Sequence, residues 1–231
     1  MNYAIIAAGE GSRLAQEGVS LPKPLVKLNG KEMIRRLIDI FLENEATSIS
    51  IIVNEEMKQV QEYVSALKLD IPLNIVVKST PSSMHSFFEL RNFLREGKFC
   101  LTTVDTIFKG EEFSRYIKAF IEDKTSDGMM AVTDFIDDEK PLYVDVDASM
   151  HIKGFLDQSA DCKYISGGIY GLTHKAINTL EACLDSGQSR MRNFQRQLVA
   201  DGLVLKAHPF AKIVDVDHAE DINKAEQFLN S

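Results

Sequence analysis

Two glycines, an arginine and a lysine set between prolines are the first residues in this chain whose spacing could do chemistry. Gly9-Glu10-Gly11-Ser12-Arg13-Leu14 follows an apolar run, Tyr3 to Ala8, that reads as a short buried strand. Glycine at positions 9 and 11 removes two Cβ atoms where backbone N–H groups would need to approach an anion. Arg13 adds charge, and so does Lys23 in Pro22-Lys23-Pro24, where two fixed proline φ angles leave the ammonium little entropy to lose. Between positions 13 and 36 six basic residues (Arg13, Lys23, Lys27, Lys31, Arg35, Arg36) face only Glu17 and Glu32, in a chain of net charge −8. The whole chain should repel a polyanion while this segment attracts a phosphate-bearing ligand.

Two better-known glycine loops do not fit these residues. A dinucleotide fingerprint needs a third glycine where Leu14 stands and an acidic residue at the end of the next strand, about 20 positions on. The second expected strand ends much later, at Val53-Asn54. A P-loop needs Gly-Lys followed by Ser or Thr, and Gly30-Lys31, the pair after this loop, precedes Glu32.

Carboxylates form the second group. Cys100-Leu101-Thr102-Thr103-Val104-Asp105 is an apolar strand ending in an acid, and ligands gather at the carboxyl ends of such strands in open α/β sheets. By spacing alone Asp105 is either a metal ligand or an ordinary cap or turn residue. In Lys212-Ile213-Val214-Asp215-Val216-Asp217-His218-Ala219-Glu220-Asp221, strand alternation sends Asp215 and Asp217 to one side. Asp217 with Glu220 also reads as a variant capping box for the last helix. Neither reading excludes metal, since Mg²⁺ takes one or two carboxylates and completes its shell with phosphate and water.

Ala7-Ala8-Gly9-Glu10-Gly11-Ser12-Arg13-Leu14 and Pro22-Lys23-Pro24-Leu25, with Gly30-Lys31 after them, resemble the AAGxGTRL and PKPL signature of the nucleotidyltransferases that make nucleoside-diphosphate sugars and related activated alcohols. The resemblance implies a three-layer α/β/α Rossmann-like fold of the GT-A type with a mixed, mostly parallel central sheet. It implies nucleotide binding by Ala7, Ala8, Gly9, Gly11, Ser12 and Arg13, with Lys23 on phosphate and Arg13 and Lys23 as the catalytic cations. Asp105 and Asp217, with Asp215 as a neighbour, would hold Mg²⁺. Ser82 and Ser83 stand where the family commonly has Gly-Thr touching base and ribose, and they offer hydroxyls and N–H groups at a helix start. The departures are Val104 for a usual Gly, Met84 and His85 after the serines, His218 for Thr, and the lack of the Glu-Lys-Pro triplet that meets the acceptor phosphate. For the acceptor the chain offers Lys153, Lys163 and the pair Gly167-Gly168.

These groups need a scaffold, and the periodicity supplies one. Strands are expected near 2–7, 49–53, 73–77, 98–104 and 128–133, and helices near 31–45, 55–67, 83–96 and 111–123. Their alternation is that of a mostly parallel sheet covered on both faces. Ile34, Leu37, Ile38, Phe41 and Leu42 give the first long helix an apolar face. From about 140 the rhythm changes to a hairpin, Leu142–Val146 with His151–Phe155, then a strand over Tyr164–Leu172 and helices near 174–184 and 190–201. One domain over 1–231 is expected, with a nucleotide-binding half at 1–135 and an acceptor-binding half with the C-terminal helix at 136–231.

Composition narrows the function classes. The opening MNYAIIAAGEG lacks a basic n-region, and Gly9 and Glu10 break its apolar run, so neither a signal peptide nor a membrane span is expected. Cys100, Cys162 and Cys183 are odd in number and widely spaced, which suits reduced thiols in the cytoplasm, with Cys100 in a core strand. No basic stripe for nucleic acid lies beyond the glycine loop. The expected partners are a nucleoside triphosphate and a phosphorylated small-molecule acceptor, a sugar 1-phosphate or a small alcohol phosphate. A nucleotide-binding regulatory protein without catalysis is one alternative. A GT-A-type glycosyltransferase is another, although Asp105-Thr106-Ile107 lacks the second Asp of a DxD run.

Overall fold

The computed structural model describes residues 1–137, 140–159 and 161–231. In chain order the elements are β1 (Asn2–Ala7), α1 (Ser12–Gln16), β2 (Lys27–Leu28), β3 (Lys31–Glu32), α2 (Met33–Glu43), β4 (Ser48–Val53), α3 (Lys58–Ala66), β5 (Leu73–Val77), α4 (Ser83–Leu90) and β6 (Lys98–Thr103). There follow β7 (Thr106–Ile107), α5 (Gly110–Glu122), β8 (Gly128–Thr133), β9 (Tyr143–Val146), β10 (Ile152–Leu156) and β11 (Tyr164–Thr173). The chain closes with α6 (Lys175–Asp185), α7 (Met191–Ala200), β12 (Leu205–Phe210), β13 (Val214–Asp215) and α8 (Ala219–Leu229). Short 3-10 turns occupy Lys23–Leu25 and Arg91–Phe93.

The central sheet is mixed. β1 lies parallel to β4 on one side and β6 on the other, and β5 extends the parallel part beyond β4. Past β6 the direction changes, because β11 pairs antiparallel with both β6 and β8, while β8 takes β12 in parallel. The start of β11 also pairs with β9, which forms the expected hairpin with β10.

Alternation along β1 explains the three layers. Tyr3, Ile5 and Ala7 pack on one face with Ile34 and Phe41 of α2, Val60 of α3, Phe113 of α5 and Phe228 of α8. Ala4, Ile6 and Ala8 pack on the other with Phe87 of α4, Leu180 of α6 and Phe194 of α7. A strand buried on both faces reads as a continuous apolar run, which is why residues 3–8 carry no charged side chain. Tyr3 stacks on Phe41 at 4.2 Å between ring centroids and donates its hydroxyl to the Asn44 carbonyl.

Several elements differ from their sequence expectation. Lys31 and Glu32 belong to a two-residue ribbon with Lys27 and Leu28, so α2 begins at Met33. Ile34, Leu37, Ile38 and Phe41 are buried as expected, whereas Leu42 stands 36% exposed, off the core-facing stripe. The helix expected over 83–96 ends at Leu90 and tightens into a 3-10 turn. β12 lies outside the sequence expectation because Pro209 interrupts the alternation of buried Leu205 and Ala207 with Lys206 and His208; it pairs in parallel with β8. Among the described residues no helix is long and apolar enough to cross a membrane.

Candidate active site

The glycine loop leaves the carboxyl end of β1 and enters α1 through Gly11, whose φ of 62° lies in the left-handed region. A Cβ there would stand 3.0 Å from Lys23 Cβ, so Gly11 also admits the lysine stem. A Cβ at Gly9 would meet nothing within 4 Å, so that position faces open space. Ala8, Gly9, Gly11 and Ser12 line a cavity of about 510 Å³ together with Ser82, Ser83 and Asn54. Ala7, one residue earlier on the alternating strand, turns into the core and contributes only backbone to this end of β1.

Asn54 was not singled out from sequence, yet it organises this cavity. Its Nδ2 donates to the Ala8 carbonyl at 3.1 Å, and its Oδ1 accepts from the Glu56 N–H and the Ser79 hydroxyl at 2.9 Å each. The ends of β1 and β4 and the loop before α4 are thereby tied together. The signal was the one that marked Asp105: a polar residue directly after a buried strand. Ser82 caps α4, and its hydroxyl meets His85 Nδ1 at 2.9 Å, so that histidine serves the cap. Met84 is buried in the core.

Lys23 is the centre of the second group. Pro22 and the 3-10 turn aim it inward, with the Leu25 N–H on the Pro22 carbonyl at 2.8 Å. Its side chain is 10% exposed, and its Nζ lies 2.5 Å from Asp105 Oδ2 and 2.7 Å from Asp217 Oδ1. Arg13 holds the other oxygen of Asp217 at 3.2 Å. Burial works against the Lys23 ammonium, but the two carboxylates outweigh it and raise its pKa above the ordinary lysine value.

Backbone pairing brings those distant acids together. β7 pairs antiparallel with β13, matching Thr106 to Asp215 and Ile107 to Val214, and the Val216 N–H donates to the Asp105 carbonyl at 3.1 Å. Val104, in place of the usual glycine, is buried, has no positive φ, and anchors the corner through its N–H on the Ile6 carbonyl. Asp217 does not cap α8. The capping position belongs to His218, and Asp221 accepts from the backbone N–H groups of both His218 and Asp217, at 2.8 and 3.1 Å. The box is therefore one residue later than Asp217 with Glu220, which leaves the Asp217 carboxylate free to face the cations.

Asp105 and Asp217 fit a divalent cation, since one cationic nitrogen already touches both. Among the described residues Lys23 pairs with Asp105 and Asp217, while the Asp215 carboxylate feels the charge of all three. Protein packed around its carboxylate, and then the charges of Asp105 and Asp217, push its pKa up, although the residue still reaches the surface of the larger cavity. Among the described residues no three His, Cys, Asp or Glu side chains gather as a ready-made metal cage. A pair of carboxylates is enough for an ion that takes its remaining ligands from phosphate and water.

A cavity of about 800 Å³ opens on the other side of Arg13, lined in part by Asp215, Asp217, Phe135, Ser166, Gly167 and Lys140. Neither Lys153 nor Lys163 lines it: Lys153 is exposed on β10, and Lys163 pairs with Asp134 at 3.8 Å. The lysines that line it are Lys140 and Lys224. Gly167 lines the cavity, but its missing Cβ makes room for Ile213, 2.4 Å from where that atom would be. Gly168, at φ 74°, lies against Thr106 at the register shift of β11. The two glycines answer to packing and strand irregularity before any ligand.

A doubly covered α/β sheet with a phosphate-type loop and paired carboxylates at its strand ends defines a nucleotide-handling fold. The chain belongs to the Nucleotidyl transferase family, whose pattern matches residues 3–231. It is 23% identical to the bifunctional protein GlmU of Methanococcus maripaludis, covering 100% of this chain and 55% of that protein. A bifunctional IPC transferase and DIPP synthase of Thermococcus kodakarensis is 26% identical over 62% of this chain and 29% of its own length. The chain thus spans about half the length, or less, of the curated relatives it matches. In fold it is similar to the inositol-1-phosphate CTP transferase of T. maritima, with a TM-score of 0.83 at 21% identity, covering 99% of this chain and 94% of that one. A protein designated glucose-1-phosphate thymidylyltransferase from Bacillus anthracis, solved with sucrose, gives 0.85 at 18% identity, covering 100% and 96%.

Proposed function

We propose that this chain transfers the nucleotidyl group of a nucleoside triphosphate to a phosphorylated acceptor, a sugar 1-phosphate or small alcohol phosphate, and releases pyrophosphate. The observation that carries the reading is Lys23 set between Asp105 and Asp217, with Arg13 beside it, Arg13 and Asp217 also lining the larger cavity. In this reading the triphosphate lies along Gly9–Arg13 with its nucleoside toward Ser82 and Ser83, and the acceptor enters past Gly167 and Lys140. Relatives named for sugar phosphate and inositol phosphate chemistry support that substrate class, and the cytoplasm supplies both substrates.

An acceptor phosphate is already an anionic nucleophile near neutral pH, so no general base is required. Its oxygen attacks the α-phosphorus in line, the bond from that phosphorus to the oxygen leading to the β-phosphate breaks, and pyrophosphate leaves with the electron pair. Lys23 and Arg13 offset negative charge as it spreads over the phosphoryl oxygens. Mg²⁺ held by Asp105 and Asp217 would supply Lewis-acid neutralisation of those oxygens.

Pyrophosphate release, measured with Mg²⁺ and a panel of triphosphates and acceptor phosphates, tests the reading. Lys23→Ala should lower turnover by about 10²–10³-fold, the loss typical of one preorganised donor, with an unchanged circular dichroism spectrum. A folded Lys23→Ala protein with wild-type rate would remove Lys23 from the chemistry. No release from any pair would favour a nucleotide-binding protein without catalysis.

A further inference from the structure

The two oxygens suited to a divalent cation are already engaged. Lys23 Nζ touches Asp105 Oδ2 at 2.5 Å and Asp217 Oδ1 at 2.7 Å, and Arg13 takes Asp217 Oδ2 at 3.2 Å. Magnesium binds carboxylate oxygen at about 2.0–2.1 Å, so an ion on those oxygens would lie in contact with the ammonium. Two cations cannot share that space. The Lys23 side chain is also 10% exposed, which denies it the water that would let it swing away without loss.

We propose that Lys23 is a lock on the metal site: Asp105 and Asp217 hold its ammonium until a triphosphate draws it off, so that the ion enters with the nucleotide or after it. The lock rests on the nucleotidyl-transfer reading for the identity of the releasing anion, but the engagement of the carboxylates does not depend on it. The release has a physical route. Lys23 Cβ, N and Cδ lie 3.0, 3.7 and 3.8 Å from where a Gly11 Cβ would be, so the loop that wraps phosphate touches the lysine stem along its length. A triphosphate on that loop offers the ammonium more negative charge than two carboxylates do. Arg13, in α1 directly after that loop, would leave Asp217 by the same movement. Both acids are then free together, and linkage requires nucleotide and metal to raise each other's affinity by one shared factor.

Binding of Mn²⁺ alone to nucleotide-free protein, read from the free-ion EPR signal, tests the lock without any turnover. Wild type should bind weakly, and Lys23→Met, which keeps the stem and removes the charge, should bind more tightly by a factor in the range of roughly 5–150 seen for coupled sites. The gain should vanish in the Lys23→Met/Asp105→Asn double variant. Wild-type binding as tight as that of Lys23→Met, or a gain that persists in the double variant, overturns the proposal. If circular dichroism shows Lys23→Met unfolded, wild type is compared with Asp105→Asn alone: equal weak binding is expected, and a clear wild-type advantage overturns the lock. Absent pyrophosphate release would count against the proposed activity and leave this readout untouched.

Discussion

At Gly11 two demands meet in one residue: a left-handed φ of 62° and a lysine stem 3.0 Å from the missing Cβ. A side chain there is strained by the backbone and also pushes on Lys23. Gly11→Ala should therefore destabilise by about 1–2 kcal/mol, the scale of the left-handed penalty for an L-residue, and should lower turnover beyond what the stability change explains. Gly9→Ala meets no neighbour and should leave stability unchanged, so urea unfolding of the pair separates strain from function. Equal stability of the two variants would show that the close approach at Gly11 has no energetic weight. Sequence spacing singled out both glycines alike. Only their surroundings distinguish one that serves the fold from one that faces open space.

At the scale of elements, α1 and the start of α8 form the two sides of the cleft, and Glu17 joins them. Its Oε1 meets His218 Nδ1 at 2.6 Å and its Oε2 accepts the Ala219 N–H at 2.6 Å. The hydrogen bond from Ala219, then the one with His218, lowers the Glu17 pKa from its ordinary 4.5, and the hydrogen bond with Glu17 raises that of His218 from 6.5. Stability from the raised histidine is complete below pH 6.5 and is lost as pH rises through its higher folded-state value. Stability from the lowered carboxylate is complete above pH 4.5 and is lost as pH falls through its lower folded-state value. The melting-temperature difference between wild type and His218→Gln should thus be widest between pH 4.5 and 6.5 and should shrink on either side. A difference independent of pH would mean that the ion pair holds nothing. Both side chains are partly exposed, so the effect is small and weakens with salt.

Over the whole molecule, the cleft is assembled from β1, the corner after β6, the strand before α8 and the loop before α4, which share no local sequence. A ligand that bridges them binds the folded chain and not the unfolded one, and at 100 times its Kd it should add about 2.7 kcal/mol. A thermal-shift screen should therefore show a rise with the accepted triphosphate and Mg²⁺, and little with a nucleoside alone. A chain stabilised equally by nucleoside and triphosphate would place the binding energy away from the phosphate loop.

Local signals were enough for the loop, for Lys23 between its prolines, and for most strands and helices, because period and composition act over a few residues. The apolar run of residues 3–8 announced a strand buried on both faces, and the acid after Thr103-Val104 announced a strand end. What no window of sequence contains is the β7–β13 ladder that sets Asp105 beside Asp217, or which lysines line the larger cavity. Those outcomes depend on pairings between segments about a hundred residues apart, where backbone hydrogen bonds and packing volume decide which side chains meet.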